Sequence, residues 1–250
     1  MNSFWLHPAL ILIIGGLILP FIKGPIRKPF LMIVPILTFL TVFTMSKGVH
    51  GVVQFIDWHL IFGRVDSLSQ IFAYIMSLMC IVGTLFSLNV DEDVQHIAAW
   101  YYVAGSLGVI LCGDYVVLFL FWELMAFAYV FLVWFRRGPQ SQACGYRYLL
   151  VHTLGGLFLL AGFVLRYYDT GGDLSFVPFA VDTPTLATYL ILIGFIVNAA
   201  VPPFHSWLAD AYAEASVPGA VFMCAFTTKT AIYVLARGFA GMEILIPLGA

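Results

Sequence analysis

The sequence predicts an all-α integral membrane protein, and two observations lead to that fold class. Of the 250 residues, 62% are hydrophobic and 10% are charged, whereas an ordinary soluble domain has about 45–50% and about 25%. The apolar residues are gathered into stretches, separated by polar breaks, that approach the roughly 20 residues a helix needs to cross the hydrocarbon. A single soluble core cannot bury this much apolar surface, so the bilayer is the predicted solvent.

Eight membrane-spanning helices are predicted, followed by the start of a ninth. The eight spans are placed at 7–22, 29–46, 67–89, 94–112, 115–135, 146–166, 185–203 and 217–238. Residues 241–250 are apolar but would cover only about 15 Å as a helix, so they are interpreted as a truncated ninth span. Met1–Leu10 contains neither Lys nor Arg and no small-residue cleavage site, so the first span is expected to remain in the mature protein.

The connections between spans are short except for 47–66 and 167–184. The first contains VVQFIDWHLIFGRVD, whose alternation of apolar and polar residues favours a short extracytoplasmic hairpin. No soluble domain is predicted.

Basic residues set the predicted orientation. By the positive-inside rule, the connections richest in Lys and Arg face the cytoplasm. Lys23, Arg27 and Lys28 cluster after span 1, and Arg136, Arg137 and Arg147 flank the connection between spans 5 and 6. The acidic run at 91–93 lies on the same side, while Lys47 and Arg64 lie opposite, but acidic residues count little in the rule. The chain is therefore placed in a prokaryotic cell membrane with its N-terminus outside.

Charge and cysteine usage narrow the function classes. A net charge of −2 argues against a basic nucleic-acid-binding face. The cysteines have no CxxC pair and no histidine at ligand spacing, so no metal site or other cofactor is predicted and they are interpreted as small packing residues. They are Cys80, Cys112, Cys144 and Cys224.

Two charged residues fall near the predicted bilayer midplane, Glu123 in span 5 and Lys229 in span 8. Such residues are rare, face the protein interior and suggest a functional site. Burial and a neighbouring charge shift a pKa in opposite directions, which is the property a proton relay needs. The alternative is a structural ion pair. His152, beside Gly155 and Gly156 in span 6, suits a relay and a hydrogen-bonded core histidine equally.

Span 7 contains a predicted helix break. Asn198 is followed by Pro202 and Pro203, and irregular backbone at membrane depth is tolerated only where it is buried in protein or lines a water-filled cavity. The sequence FHSWLADAYAEA then predicts a short amphipathic helix at the inner interface. It carries His205, Trp207, Asp210 and Glu214. The two acidic residues are interpreted either as an entry or coupling site or as solvated surface groups.

These motifs resemble the antiporter-like proton-channel family, which comprises the large membrane subunits of complex I, of membrane-bound hydrogenases and of Mrp sodium/proton antiporters. The resemblance rests on FWELM, YRYLLVH–LGG, PPFHSWLADAYAEA and FTTKTAIYVLARGF, and is nearest to the D-type Mrp proteins and the hydrogenase-linked branch. It implies about fourteen spans built around two inverted five-helix repeats, each with a broken helix. Accordingly, 1–93 would be three leading helices with the hairpin, 94–238 the first repeat, and 239–250 the start of a ninth helix.

The resemblance also implies roles for residues. Glu123 matches the family's span-5 carboxylate and Lys229 its span-8 lysine, while Asn198 stands where the family usually has a lysine that pairs with the carboxylate. Ala209 replaces a common proline. Glu123 is therefore expected to pair with Lys229, to be served by His152, or to be neutral.

The predicted function is a membrane subunit that moves protons, or cations and protons, within a respiratory, hydrogenase or Mrp-type complex. The chain would not be catalytic alone, and its partners would be other membrane subunits, including one that supplies the second antiporter-like half. The path would involve spans 5, 7 and 8. Thr227 and Thr228 join Glu123 and Asn198 as the oxygen donors available to Na⁺. Alternatives are a Na⁺/H⁺ exchange module, a non-conducting spacer of the membrane arm, and a quinone-binding redox subunit, for which the sequence offers no sign.

Overall fold

The computed structural model of the protein describes residues 5–180 and 182–249. Six helical segments there are long and apolar enough to cross a membrane: Gly24–Phe43, Ser67–Phe86, Asp93–Leu111, Tyr115–Trp134, Pro139–Asp169 and Val217–Gly238. Two shorter apolar segments, Pro8–Phe21 and Leu186–Ala199, accompany them. The chain is a multi-pass membrane protein whose spans are all helical, as its composition predicts.

The leading part contains helices α1 (Pro8–Ile18), α2 (Arg27–Phe43) and α3 (Ser67–Phe86). The α3 helix begins with a capping box, in which the Asp66 carboxylate accepts the Ser69 backbone N–H and the Ser69 hydroxyl accepts the Asp66 N–H. Such reciprocal bonds satisfy two donors that a helix N-terminus would otherwise leave free. They fix the point at which the chain turns from the preceding connection into α3.

That connection is an antiparallel hairpin of β1 (Gly48–Phe55) and β2 (Trp58–Val65). Its register runs from the pair Gly48–Val65 to the pair Phe55–Trp58. The Trp5 ring lies against the hairpin at two glycines, which have no side chain to block it. A Cβ atom on Gly51 or Gly63 would approach the Trp5 ring to 2.6 Å or 2.4 Å. The hairpin and the start of the chain therefore pack together.

The α4 helix (Asp93–Leu111) lies at the centre of the bundle, with 15 of its 19 residues buried. It contacts α1, α3, α5 (Tyr115–Trp134) and the later α10 (Thr227–Gly238). Glycines allow its close approach to α5, because a Cβ atom on Gly108 would lie 2.0 Å from the Phe121 ring. Small residues of this kind let membrane helices pack backbone to backbone.

The α6 helix (Pro139–Asp169) is longer than predicted. It starts seven residues before the expected position 146, because Pro139 stands at the first helical turn, where its missing N–H is no loss. At about 1.5 Å per residue its 31 residues extend about 46 Å, well beyond the hydrocarbon. Its first turns pack against the end of α5, where the buried Ser141 hydroxyl donates to the Val133 carbonyl at 2.6 Å.

The two remaining predicted spans are each interrupted. Span 7 is predicted over 185–203, but α7 (Leu186–Ala199) ends where Ala200 adopts a left-handed conformation with φ of 57°. A turn containing the two prolines leads into α8 (Ser206–Glu214). Span 8 is predicted as one helix over 217–238 but bends at Phe226, between α9 (Val217–Ala225) and α10. A short α11 (Leu245–Gly249) ends the described chain.

Ion pairs mark the two ends of the bundle. At the arginine-rich end, Arg27 binds Asp93 at 2.8 Å and Arg137 binds Glu92 at 2.7 Å. These pairs neutralise Asp93 and Glu92, two of the three acidic residues on the side predicted to be cytoplasmic. At the hairpin end, Arg237 of α10 binds Asp66 at 2.6 Å.

Candidate functional site

Glu123 lies in the middle of α5 and points to α6. It is eight residues from the start of a 20-residue helix, which places it about 12 Å along the axis. A Cβ atom on Gly156 of α6 would lie 2.4 Å from Glu123 Oε1, so the glycine leaves room for the carboxylate. That oxygen is buried and has no hydrogen-bond partner among the described residues.

His152 lies one helical turn before Gly156 on α6 and is buried. Its Nδ1 lies 3.1 Å from the Tyr148 carbonyl oxygen, while Nε2 has no partner in the described part of the chain. The imidazole stacks on the Tyr148 ring, with centroids 3.8 Å apart, and meets Trp207 edge-on at 4.4 Å. The aromatic rings hold the imidazole in place but leave one of its nitrogens without a bond.

Asn198 enters the same region from the last turn of α7. Its side chain is 1% exposed and adjoins the His152 imidazole. Neither atom of its amide makes a well-formed hydrogen bond to a described residue. The α7 helix approaches α6 closely, because a Cβ atom on Gly194 would lie 2.9 Å from the Gly155 carbonyl oxygen.

Glu123, His152 and Asn198 form what we call the buried polar trio, one side chain from each of three neighbouring helices. A buried polar group without a hydrogen bond costs about 1–3 kcal/mol, and such groups are uncommon in folded proteins. Each member of the trio has at least one buried side-chain nitrogen or oxygen without a partner among the described residues, so the trio forms a polar region inside an apolar bundle.

The α7–α8 break lies beside the trio. Because α7 ends at Ala199, the Val197 carbonyl lacks its usual α-helical partner; it accepts the Trp207 indole N–H of α8 at 2.9 Å and the Ala200 N–H at 3.3 Å. Asn198 is the one predicted break residue that is buried. The others, Pro202, Pro203 and His205, are exposed at the surface of the chain.

Lys229 does not lie where the sequence predicted. Its side chain is exposed on α10 and does not face the interior of this chain. Its Nζ donates to the Cys224 carbonyl at 2.6 Å and to Thr228 Oγ1 at 3.2 Å. Among the described residues, no salt bridge joins it to Glu123. The interior face of α10 is occupied by hydroxyl and aromatic side chains, which direct Lys229 outward.

Tyr102 of α4 accounts for the bend before Lys229. Its hydroxyl accepts the Thr227 N–H at 2.8 Å, and so supplies the partner that the preceding turn would have given. A side chain inserted into the helical ladder is a usual cause of such a bend. Sequence reasoning missed Tyr102, because a tyrosine in an apolar span is ordinary. A usable signal was the Thr227–Thr228 pair, since threonine favours helix starts.

The two acidic residues of α8 lie at the arginine-rich end. They border a groove of about 500 Å³ whose lining includes Arg147, Asp210 and Glu214. Asp210 binds Arg147 of α6 at 3.4 Å, and both side chains are more than half exposed. The groove thus exposes carboxylates to solvent at the arginine-rich end of the bundle.

The comparisons with known proteins identify the family. Residues 112–247 match the family model described as NADH:quinone oxidoreductase/Mrp antiporter, transmembrane. Since that match covers more than half of the chain, the chain belongs to this family, as the resemblance implied. The Na⁺/H⁺ antiporter subunit A1 of Staphylococcus aureus is 28% identical over 263 residues, which cover 93% of this chain and 32% of that protein. The chain spans about a third of the length of these curated relatives.

Solved structures share the fold. A chain of the membrane-bound sulfane sulfur reductase, an archaeal respiratory membrane complex, matches with a TM-score of 0.82 and 23% identity, over 96% of this chain and 56% of that one. A chain of respiratory complex I from Thermus thermophilus gives 0.77 and 22%, over 96% and 55%. A chain of the Mrp complex from Dietzia sp. DQ12-45-1b gives 0.75 and 25%, over 94% and 48%.

Proposed function

We propose that this chain is a membrane subunit that translocates protons, or cations and protons, within a multisubunit complex of the respiratory, hydrogenase or Mrp type. The observation that carries the proposal is the buried polar trio at mid-depth beside the α7–α8 break. An apolar bundle has no structural need for a carboxylate oxygen, an imidazole nitrogen and an amide that are buried without a hydrogen-bond partner among the described residues. A path for protons needs such groups.

In this proposal protons enter at the arginine-rich end. The groove that presents Asp210 and Glu214 to solvent would collect them, and the trio would pass them through water molecules inside the bundle. The clustering of Arg27, Arg137 and Arg147 at this end supports its placement in the cytoplasm, with the N-terminus outside.

Lys229 would exchange the proton with a second polar region supplied by a partner. A lysine exposed on the hydrocarbon face of a helix is costly in a bilayer, so it is expected to be covered in the assembled complex. Val217, Cys224 and Ile232 are exposed along the same α9–α10 surface. We infer that another chain or region, which provides the second antiporter-like half, packs there.

The domain division follows from the same proposal. Residues 1–93 would form the leading helices with the hairpin, 94–238 the first repeat, and 239–250 the start of a further helix. The order of α4, α5 and α6, followed by two interrupted spans, supports a repeat built around discontinuous helices.

Na⁺/H⁺ exchange is a second candidate, favoured by the sequence similarity to the Na⁺/H⁺ antiporter subunit A1. The oxygen atoms of Glu123 and Asn198 would then be the first places to look for a Na⁺ ligand. Thr227 is less suited, because its hydroxyl lies 2.5 Å from Tyr102 OH and is already bonded. Measuring both ions in one preparation separates the candidates.

The test is ion pumping by the intact complex in proteoliposomes. We expect Glu123→Gln and Lys229→Ala to reduce proton transport by about a hundredfold, the size of effect typical for a lost proton-transfer group. Glu243→Gln and Lys23→Ala, which change exposed residues outside the bundle, are the controls. Radioactive Na⁺ uptake is measured in parallel.

Each variant is first checked for assembly by native electrophoresis. Undiminished transport in assembled Glu123→Gln and Lys229→Ala would indicate that the chain is a structural spacer of the membrane arm. Loss of Na⁺ uptake together with proton transport would select the exchange module.

A further inference from the structure

A row of buried hydroxyl groups joins α4 to α10. Two pairs face each other directly: Tyr102 OH lies 2.5 Å from Thr227 Oγ1, and Ser106 Oγ lies 2.6 Å from Thr230 Oγ1. Further along, the Tyr233 hydroxyl donates to a backbone carbonyl of α4 at 2.5 Å. All five side chains are at most 1% exposed. We call these five residues the hydroxyl seam.

The seam follows the helix axes. Its residues are four apart on α4, at 102 and 106, and three apart on α10, at 227, 230 and 233. At 1.5 Å per residue, successive levels are about 4.5–6 Å apart, a separation that a single bridging water can span. The seam can therefore act as a continuous hydrogen-bonded row once water occupies the gaps.

The two ends of the seam have distinct surroundings. At one end, Thr227 is the first residue of α10, and Lys229 lies in the same turn. The Lys229 Nζ donates to Thr228 Oγ1 at 3.2 Å. At the other end, Arg237 binds both carboxylate oxygens of Asp66, at 2.7 Å and 2.6 Å. The Asp66 side chain is 40% exposed at the hairpin end. The seam thus leads from the lysine's turn to a charged pair at the surface.

The seam differs from two other buried hydroxyls of the bundle, those of Thr38 and Ser77. Thr38 and Ser77 donate to carbonyls of their own helices, at 3.0 Å and 2.7 Å, which is the ordinary way to satisfy a hydroxyl in a membrane helix. Ser106 and Thr230 instead face each other, and either can be the donor. Such a pair can reverse its direction by rotation, which a proton-conducting row requires.

We propose that the hydroxyl seam is a second outlet of the relay, separate from the exchange between Lys229 and a partner, and that it carries protons from Thr227, at the start of α10, to the Asp66–Arg237 pair at the hairpin end. This inference rests on the proposed function. Each hydroxyl or water accepts a proton on an oxygen lone pair and releases its own proton to the next oxygen. One proton enters, one leaves, and every group returns to its starting form after the hydrogen bonds reorient.

The test is a pair of matched double variants in the intact complex. Ser106→Ala with Thr230→Val removes both hydroxyls of one level and leaves no unpaired partner. Ser77→Ala with Thr38→Val makes the same chemical changes outside the seam. We expect the seam variant to slow proton transport by about tenfold or more while the control stays within about twofold of wild type. Thr230→Ser, which keeps the hydroxyl, should retain transport.

Normal transport by the assembled seam variant would overturn the outlet. If Glu123→Gln and Lys229→Ala still abolish transport in the same series, only this inference fails; if they do not, the proposed function fails as well. Equal losses in the seam and control variants would show a general packing effect and also overturn it. Should the double variant not assemble, Thr230→Val alone is judged by the same criteria.

Discussion

Gly156 is the residue on which the position of Glu123 most directly depends. A methyl group there would lie 2.4 Å from Glu123 Oε1, so it would displace the carboxylate. We expect Gly156→Ala to assemble, because the Glu123 side chain can move to relieve overpacking that costs about 1–3 kcal/mol. We expect the variant to lose about tenfold or more of ion transport, because the carboxylate is then displaced. Proteoliposome pumping measures the effect.

Gly155→Ala is the matched control for that prediction. The nearest atoms to its added Cβ would be the Val197 side chain, at 3.3 Å, and the Gly194 carbonyl oxygen, at 3.7 Å, and not the Glu123 carboxylate. Similar activities for the two alanine variants would contradict the assignment of Gly156 as the space for Glu123.

Asp66 gives the pH prediction. Burial raises the pKa of its carboxyl, but hydrogen bonds from the Ser69 N–H and the Arg237 guanidinium outweigh burial and hold the pKa below its usual range. A carboxyl whose pKa is lowered by folding stabilises the protein above its unfolded pKa of about 3.9, and this stabilisation is lost as the pH falls through the folded pKa.

Asp66→Asn is therefore expected to destabilise the protein by roughly 1–2 kcal/mol at neutral pH. This is less than the 3–5 kcal/mol of a fully buried pair, because the carboxylate is partly exposed and screened. The variant keeps a good N-cap, since asparagine caps as well as aspartate does. Thermal unfolding in detergent between pH 7 and pH 3 should show the difference narrowing as the pH falls below the unfolded pKa. A difference as large at pH 3 as at pH 7 would argue against the ion pair, and Asp57→Asn in the exposed hairpin turn serves as control.

At the level of elements, the sequence predicted the apolar spans well because hydropathy and turn residues act locally. The early start of α6 was missed because the segment after Pro139 is polar and resembles a loop. The bend at Phe226 was missed because its cause, Tyr102, comes from another helix. The outward direction of Lys229 depends on which face of α10 packs against α4, and one span's sequence does not contain that information.

The α7–α8 break yields a prediction at the same scale. Trp207→Phe keeps the aromatic packing but removes the indole donor to the Val197 carbonyl, which keeps only the longer hydrogen bond from the Ala200 N–H at 3.3 Å. We expect a loss of about 0.5–1.5 kcal/mol in the free energy of unfolding, the net contribution of one hydrogen bond. Trp134→Phe is the control, because its indole N–H donates to an exposed carbonyl at 3.3 Å, where water can replace it. Equal losses would mean that the indole bond does not hold the break.

At the scale of the whole molecule, cysteine accessibility tests whether a partner covers the α9–α10 surface. The sequence placed all four cysteines in packing roles, but Cys224 is exposed, on the surface that carries Lys229, while Cys80, Cys112 and Cys144 are buried. In the isolated chain in detergent, a maleimide should modify Cys224 first. In the intact complex it should be protected if the proposed partner covers α9 and α10. Mass spectrometry of digested samples reads out the modified thiol, and labelling unchanged by assembly would contradict that contact.

The burial of α4 also bears on how the protein is made. Among the long apolar helices of the described chain, α4 is the least apolar and the most enclosed by its neighbours. A helix of this kind is stabilised little by contact with lipid and much by contact with neighbouring helices. Its residence in the bilayer during synthesis should therefore depend on α1 and α3, which are made before it, and be completed by α5 and α10, which are made after it. Biogenesis of the bundle is then limited by the capture of its central helix and not by the insertion of its outer ones.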